Sequence, residues 1–548
     1  MKKNLKTILA LALCMVMALG LLAGCGGSSA PASTGDGSSS SSSGSDSSSA
    51  GSSSGAAPAS EPAKSDVTLR YACPAPNTVT NFTTDPAVDY TALINQGNGT
   101  CETLMVLDDD TKEVKPCLAT AWEQADDTTW VITIRDGVKF SNGKDLTAQT
   151  VIDAFTYILE NNARLSKMLD VAEMTADGQT LTIKTGSVVA ILPRILTEQN
   201  MLVFDIDDDN YADGLVGTGP YVMVSCDADG NCDLVRNENY WQGMPAAGKI
   251  HTVPLKDLTA RSNALQSGEL DWATVADSDL EIFESDPRFV VETKNNGRVF
   301  YLYVNSQFSF TQDDALREAL QYAFDRDSIV AGVYSGHGES TFSIFPTWSE
   351  FYTADHLQPD YNVETAKKIL ADAGYADSDG DGFLEKDGEK VTLSIYTYNA
   401  NNFPVLCEVL QSMLKAIGID SNITISTQIF DDLTGGQFNI ATYGYNTLTL
   451  GDSYNYMQPV FETGASSNFT KFSSAEVDEA LAEMKVTADP ARRAELVRAM
   501  QGPIYASNER IYLMHILNNQ VRVAEMKNLP ILFGGDNTDN SVLWTITK

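Results

Sequence analysis

The stretch Val391–Phe430, VTLSIYTYNANNFPVLCEVLQSMLKAIGIDSNITISTQIF, decides the fold class. Val391, Leu393 and Ile395 fall on one face of an extended segment, because strand side chains alternate. From about Pro404 to Ile417 the apolar residues recur at helical spacing, and Gly418 is placed to end that helix. NITISTQIF then reads as a second strand. A strand, a helix of about fifteen residues and another strand make a parallel crossover unit. The body is expected to be α/β.

The same alternation extends in both directions. Helices are predicted near Ser474–Val486 and Pro490–Ala506, followed by the apolar strand RIYLMHIL from Arg510. Upstream, DDALREALQYAFDRDSIVAGVYSG (Asp313–Gly336) reads as helical, and NVETAKKILADAG (Asn362–Gly374) as a helix stopped by Gly374. TTWVITIRDGVKF (Thr128–Phe140) alternates like a strand, with Asp136-Gly137 as a turn. DLTAQTVIDAFTYILEN (Asp145–Asn161) has helical spacing, with Thr147 as N-cap.

Between Gly374 and Val391 lies the acidic run YADSDGDGFLEKDGEK. Asp377, Asp379, Asp381 and the Phe383 carbonyl match the early positions of an EF-hand-like calcium loop. Position 12 of that pattern is Gly388 rather than Glu, and no partner loop is present. The expectation is an acidic turn, with a structural calcium ion as the alternative.

The N-terminus is expected to leave before folding. Lys2, Lys3 and Lys6 precede an apolar run from Ile8 to Leu22, which has the length and flanks of a signal peptide. Leu22-Ala23-Gly24-Cys25 resembles a bacterial lipobox, implying cleavage before Cys25 and a diacylglyceryl anchor on it. Residues 25–65 are mostly Ser, Gly, Ala and Pro, a composition that cannot offset chain entropy. Such a tether spans on the order of 35 Å as a flexible coil.

The formal charge is −36, and −39 without the three signal lysines, which makes nucleic acid an implausible partner. Cys73, Cys101, Cys117, Cys226, Cys232 and Cys407 remain after processing. Cys226 and Cys232 flank the turn DADGN and are placed to staple a hairpin; the other pairings are not deducible. No G-x-S-x-G, H-E-x-x-H or C-x-x-C is present, and His251, His337, His356 and His515 lie far apart. These absences point away from an enzyme and require no cofactor.

CLATAWEQADDTTWVITIRDGVKFSNGKDLTAQTVIDAF (Cys117–Phe155) resembles the signature region of the family 5 extracellular solute-binding proteins. VGTGPY, LVRNENYWQGMPAAGKI, ALQSGELDWA, DDALREALQYAFDRDSIV, AKKILADAGYADSDGDG and ERIYLMHI extend the resemblance in the family's order. It covers about Val67 to Lys548. The resemblance implies a type II (cluster C) periplasmic-binding-protein fold, two lobes on a hinge with an extra domain. Domain I would combine residues 66–104, 205–292 and 519–548; domain II would be 105–204 and domain III 293–518. It further implies a monomeric, lipid-anchored receptor on the outer face of the cell membrane. The receptor would pass a small solute to an ABC importer permease. An enzyme, adhesin or signalling module on the same scaffold is the alternative of another class.

Peptide is the family's commonest solute. Its peptide-binding members place an Asp in domain III against the ligand's ammonium, and Leu448 falls near that place here. Asp452 matches a later Asp. Nickel-type members also lack the Asp and hold a chelator's carboxylates with an arginine, whose place Arg164 takes; Arg194 is offset from their second. The resemblance implies Tyr445, Asn446 and Thr447 as domain III pocket residues and Tyr90 from the domain I edge. Tyr301 and Tyr303 would stand at the domain III entrance, one facing the ligand and the other the core.

Overall fold

The computed structural model describes residues 67–72, 85–88, 99–108, 111–207, 214–227 and 229–527. Cys25, Cys73, Tyr90, the leader and the tether lie outside the described residues. The crossover unit is present as read. Strand Thr392–Tyr398 pairs in parallel with Asp420–Ser426, and helix Phe403–Ala416 connects them. Val391, Leu393, Ile395, Leu406, Leu410 and Leu414 bury together beneath that helix.

Most helix starts follow side-chain caps that satisfy orphan backbone donors. Thr147 caps Ala148–Asn161 in a reciprocal capping box with Thr150. Asn362, Ser474 and Asp489 cap Val363–Asp372, Ala475–Val486 and Pro490–Ala506. The region read as one helix from Asp313 is two, Asp314–Gln321 and Arg326–Val333, because Asp325 caps a fresh start by accepting from Ser328 N–H.

Among the described residues one sheet of eleven strands organises the larger body. Its order is Tyr221–Cys226, Cys232–Arg236, Lys249–Val253, Thr68–Ala72, Trp272–Ala273, Arg510–Val523, Phe289–Val304, Ile440–Asn446, Thr392–Tyr398, Asp420–Ser426. Gly338–Ser340 pairs with Arg510–Val523 off this path. Two long antiparallel strands, Phe289–Val304 and Arg510–Val523, therefore run through the middle and belong to both halves of the sheet. Their register slips between Asn295 and Val299. A disulfide joins Cys226 to Cys232 across the hairpin at one sheet edge, where they are register partners. Cys101, Cys117 and Cys407 are buried.

A smaller body forms between residues 101 and 215. Four antiparallel strands, ordered Ala119–Asp126, Thr129–Ile134, Thr180–Thr185, Val171–Asp177, curl against helix Ala148–Asn161. Trp130, Ile132, Ile134, Phe140, Phe155 and Ile183 fill its core. Phe204 and Leu215 join that core from the returning chain.

Candidate interlobe solute site

A cavity of about 520 Å³ opens between the smaller body and the larger one, within the range that accommodates small ligands. Arg164, Lys167 and Met168 come from the short helix Ala163–Leu169, capped by the Asn162 carboxamide oxygen. Val188, Ala190 and Ile191 come from the turn before helix Leu192–Ile195. The larger body supplies Tyr445, Thr449, Tyr454, Gln458, Lys485 and Arg493. Two separately folded surfaces face each other across the space.

The charges in the wall are unevenly matched. Arg164 Nη2 donates to Glu198 Oε1 at 3.1 Å and to Asn200 Oδ1 at 3.4 Å. Arg493 makes a buried bidentate pair with Asp452, at 2.8 and 2.6 Å. Asp170 accepts from Ser187 Oγ at 2.7 Å. Lys167 and Lys485, on opposite walls, make no ion pair among the described residues. Burial beside Tyr443 pushes the Tyr445 phenol up, so it stays a hydrogen-bond donor at the wall.

Of the residues expected at the site, Arg164 and Tyr445 line the cavity. Tyr301 does not, and the expectation that Tyr301 and Tyr303 face opposite ways is corrected. Residues two apart on a strand share a face, and both rings lie in one buried cluster, with the Tyr301 hydroxyl donating to Tyr303 at 2.9 Å. Thr447 is also turned inward, its hydroxyl donating to Gly297 O at 2.7 Å. Asn446 pairs in register with Arg298, and its carboxamide oxygen accepts from Leu448 N–H. Neither Thr447 nor Asn446 is part of the cavity wall. Leu448 is packed into the same core, its Cδ1 2.8 Å from where a Cβ on Gly297 would stand.

Reading the sequence passed over Lys167, Tyr454, Gln458, Lys485 and Arg493. Lys167 was findable, since it follows Arg164 by one helical turn; the others converge only through tertiary packing. Arg194 lies outside this cavity and lines a neighbouring one of about 280 Å³ with Trp122, Trp130 and Glu350.

The acidic loop contributes no residue to the lining of either cavity. Asp377, Asp379, Asp381 and Glu385 bring carboxylate oxygens within 4.8 Å of one another, the one such metal-competent group among the described residues. Asp377 accepts from the backbone N–H of Gly380 and Gly382, and Asp381 from Phe383 N–H and Lys390 Nζ. The Phe383 N–H and that ammonium together hold Asp381 below the ordinary carboxylate range.

The model of bacterial extracellular solute-binding proteins, family 5, matches residues 113–468. The chain belongs to this family. It is a solute-binding protein, not an enzyme, and its family acts outside the cytoplasm. The oligopeptide-binding protein AppA of Bacillus subtilis (strain 168) is 27% identical over 408 residues, covering 70% of this chain and 74% of its own. The nickel-binding protein NikA of Staphylococcus aureus (strain NCTC 8325 / PS 47) is 26% identical over 403 residues, covering 72% and 79%. A crystal structure of a nickel ABC transporter protein from Bacillus halodurans superposes with a TM-score of 0.75 at 24% identity, over 88% of this chain and 99% of that one. The family 5 frame is the bilobal type II fold.

Proposed function

We propose that this chain is the lipid-anchored receptor of an ABC importer. On this reading it captures a small peptide with a free carboxylate between its two bodies and presents it to the permease. The charge of the cavity supports the reading. Lys167 and Lys485 face the space from opposite walls without ion-pair partners among the described residues, and Arg164 stands beside Lys167 with its guanidinium half-exposed. An incoming carboxylate meets guanidinium and ammonium donors, the geometry that strengthens charge-assisted hydrogen bonds. Diacylglyceryl on Cys25 would hold the receptor at the membrane, and the Ser/Gly-rich tether would let it reach the permease. The three-domain division, with residues 105–204 as domain II and 293–518 as domain III, is part of the same proposal.

A chelated metal ion is the second reading, and Leu448 favours it. An α-ammonium at that position would meet an apolar core instead of a carboxylate, and an unpaired buried charge costs several kcal/mol. Native mass spectrometry with metal analysis of the protein as purified separates the two. A co-purified peptide supports the first, and nickel or cobalt with a small organic acid the second. Absence of any bound or bindable solute removes both. The Asp377–Glu385 loop is proposed as a structural turn, with calcium its candidate occupant; calorimetry with no heat at millimolar calcium leaves the turn alone.

A further inference from the structure

Leu450 is the one buried member of the smaller body's core that comes from beyond residue 215, among the described residues. It sits in the link between strand Ile440–Asn446 and helix Tyr454–Phe461 of the larger body. Its backbone is left-handed, at φ 59° and ψ 22°, a region that leucine avoids. Gly451 follows at φ 66°, and a Cβ there would lie 2.8 Å from Lys112 O. Lys112, on the opposing body, is itself left-handed at φ 56°. Arg194 of the smaller body closes the joint, its Nη1 donating to Lys112 O at 2.8 Å and to Leu450 O at 3.1 Å. Backbone strain of this kind persists only where the surroundings hold it in place.

We infer that Arg194 and the Leu450–Gly451 kink form a latch that holds the two bodies closed without touching the solute. The inference rests on the proposed capture between two bodies and adds what secures the closed state. Leu450 supplies an apolar plug, Gly451 the clearance for close backbone approach, and Arg194 one donor shared between a carbonyl on each body. Arg194 is thus a positioning residue. Leu450 can enter the smaller core only when the bodies meet, so its strained backbone is stabilised in the closed form and released on opening.

The test uses the full chain as purified, with no solute added, and three variants: Arg194→Ala, Arg194→Lys and Gly451→Ala. Small-angle scattering reads the radius of gyration, and hydrogen exchange reads the amides of Thr449–Asp452. Arg194→Ala and Gly451→Ala should each enlarge the molecule and speed that exchange by roughly tenfold or more. Exchange in the strand Thr129–Ile134 should stay as in the parent. Arg194→Lys, whose ammonium still reaches a carbonyl, should lie near the parent. Parent-like scattering and exchange in both Arg194→Ala and Gly451→Ala would overturn the latch. So would loosening that spreads into Thr129–Ile134, which would make Arg194 a structural residue of the smaller body. Either failure leaves solute capture standing, since that reading is decided by the bound molecule.

Discussion

Replacing Asp452 by Asn tests how the cavity wall is built. Asp452 and Arg493 are 2% and 4% exposed and meet through two hydrogen bonds of 2.6 and 2.8 Å. The substitution keeps the shape and keeps an oxygen to accept from Tyr454 N–H, now 2.8 Å from Asp452. It removes the charge and puts an amide NH2 donor where Oδ2 accepted from Arg493 Nε, leaving the buried guanidinium with one amide oxygen and the Met484 and Thr487 carbonyls. Breaking one side of a buried pair costs about 3–5 kcal/mol. For a cooperative unit of 150–250 residues that lowers the unfolding midpoint by roughly 10 °C. Urea melts followed by tyrosine fluorescence measure the loss. Adding Arg493→Met removes the orphaned charge and should bring stability to within about 2 kcal/mol of the parent, the remainder being lost carbonyl hydrogen bonds. A single-variant loss under about 1 kcal/mol, or a double variant no better than the single, would refute the reasoning.

Three further outcomes are expected. Arg164→Ala should weaken rebinding of the co-purified anionic solute to stripped protein by at least about tenfold, or about 1.4 kcal/mol, by calorimetry; unchanged affinity removes Arg164 from the site. His515 is buried against Ile344 O, and burial lowers its pKa from 6.5 to about 4. The unfolded chain therefore takes up a proton that the folded one refuses, so this contribution is full above pH 6.5 and is lost as pH falls to about 4, by about 3 kcal/mol. His515→Gln should flatten that part of the stability profile, and an identical acid slope would contradict it. Replacing Cys226 and Cys232 with Ser should cost about 2 kcal/mol from loop entropy with solute affinity unchanged. A loss of affinity would mean that this edge hairpin supports the cavity.

The elements legible in the sequence were those set by local chemistry. Thr147, with its reciprocal box, and the alternating Val391, Leu393 and Ile395 each announce a structure within a few residues. The break at Asp325 was hidden because buried apolar residues recur on both sides of it, Leu320 and Phe324 before and Ile329 and Val330 after, while its cap bond is visible only in three dimensions. The site was less legible. Arg164 and Tyr445 were reachable by resemblance, but Lys485 and Arg493 reach the cavity from helices that carry no motif. Tyr301 was misread because a tyrosine near a lobe entrance resembles a contact residue, whereas its strand face is decided by which neighbours bury it. Arg194 looked like a displaced ligand arginine, and its carbonyl partners, Lys112 and Leu450, lie far off in sequence.

The central strand Arg510–Val523 also governs the order of assembly. It is among the last described segments of the chain, yet it pairs with Phe289–Val304 along most of its length and with Trp272–Ala273 on its other edge. Until it pairs, the two halves of the large sheet have an empty lane between them. Closing that lane requires pairings more than two hundred residues apart in sequence, which are slow to form. A sheet whose middle lane waits for such distant pairings stays open for longer, with the edges of its two halves unpaired until Arg510–Val523 is in place.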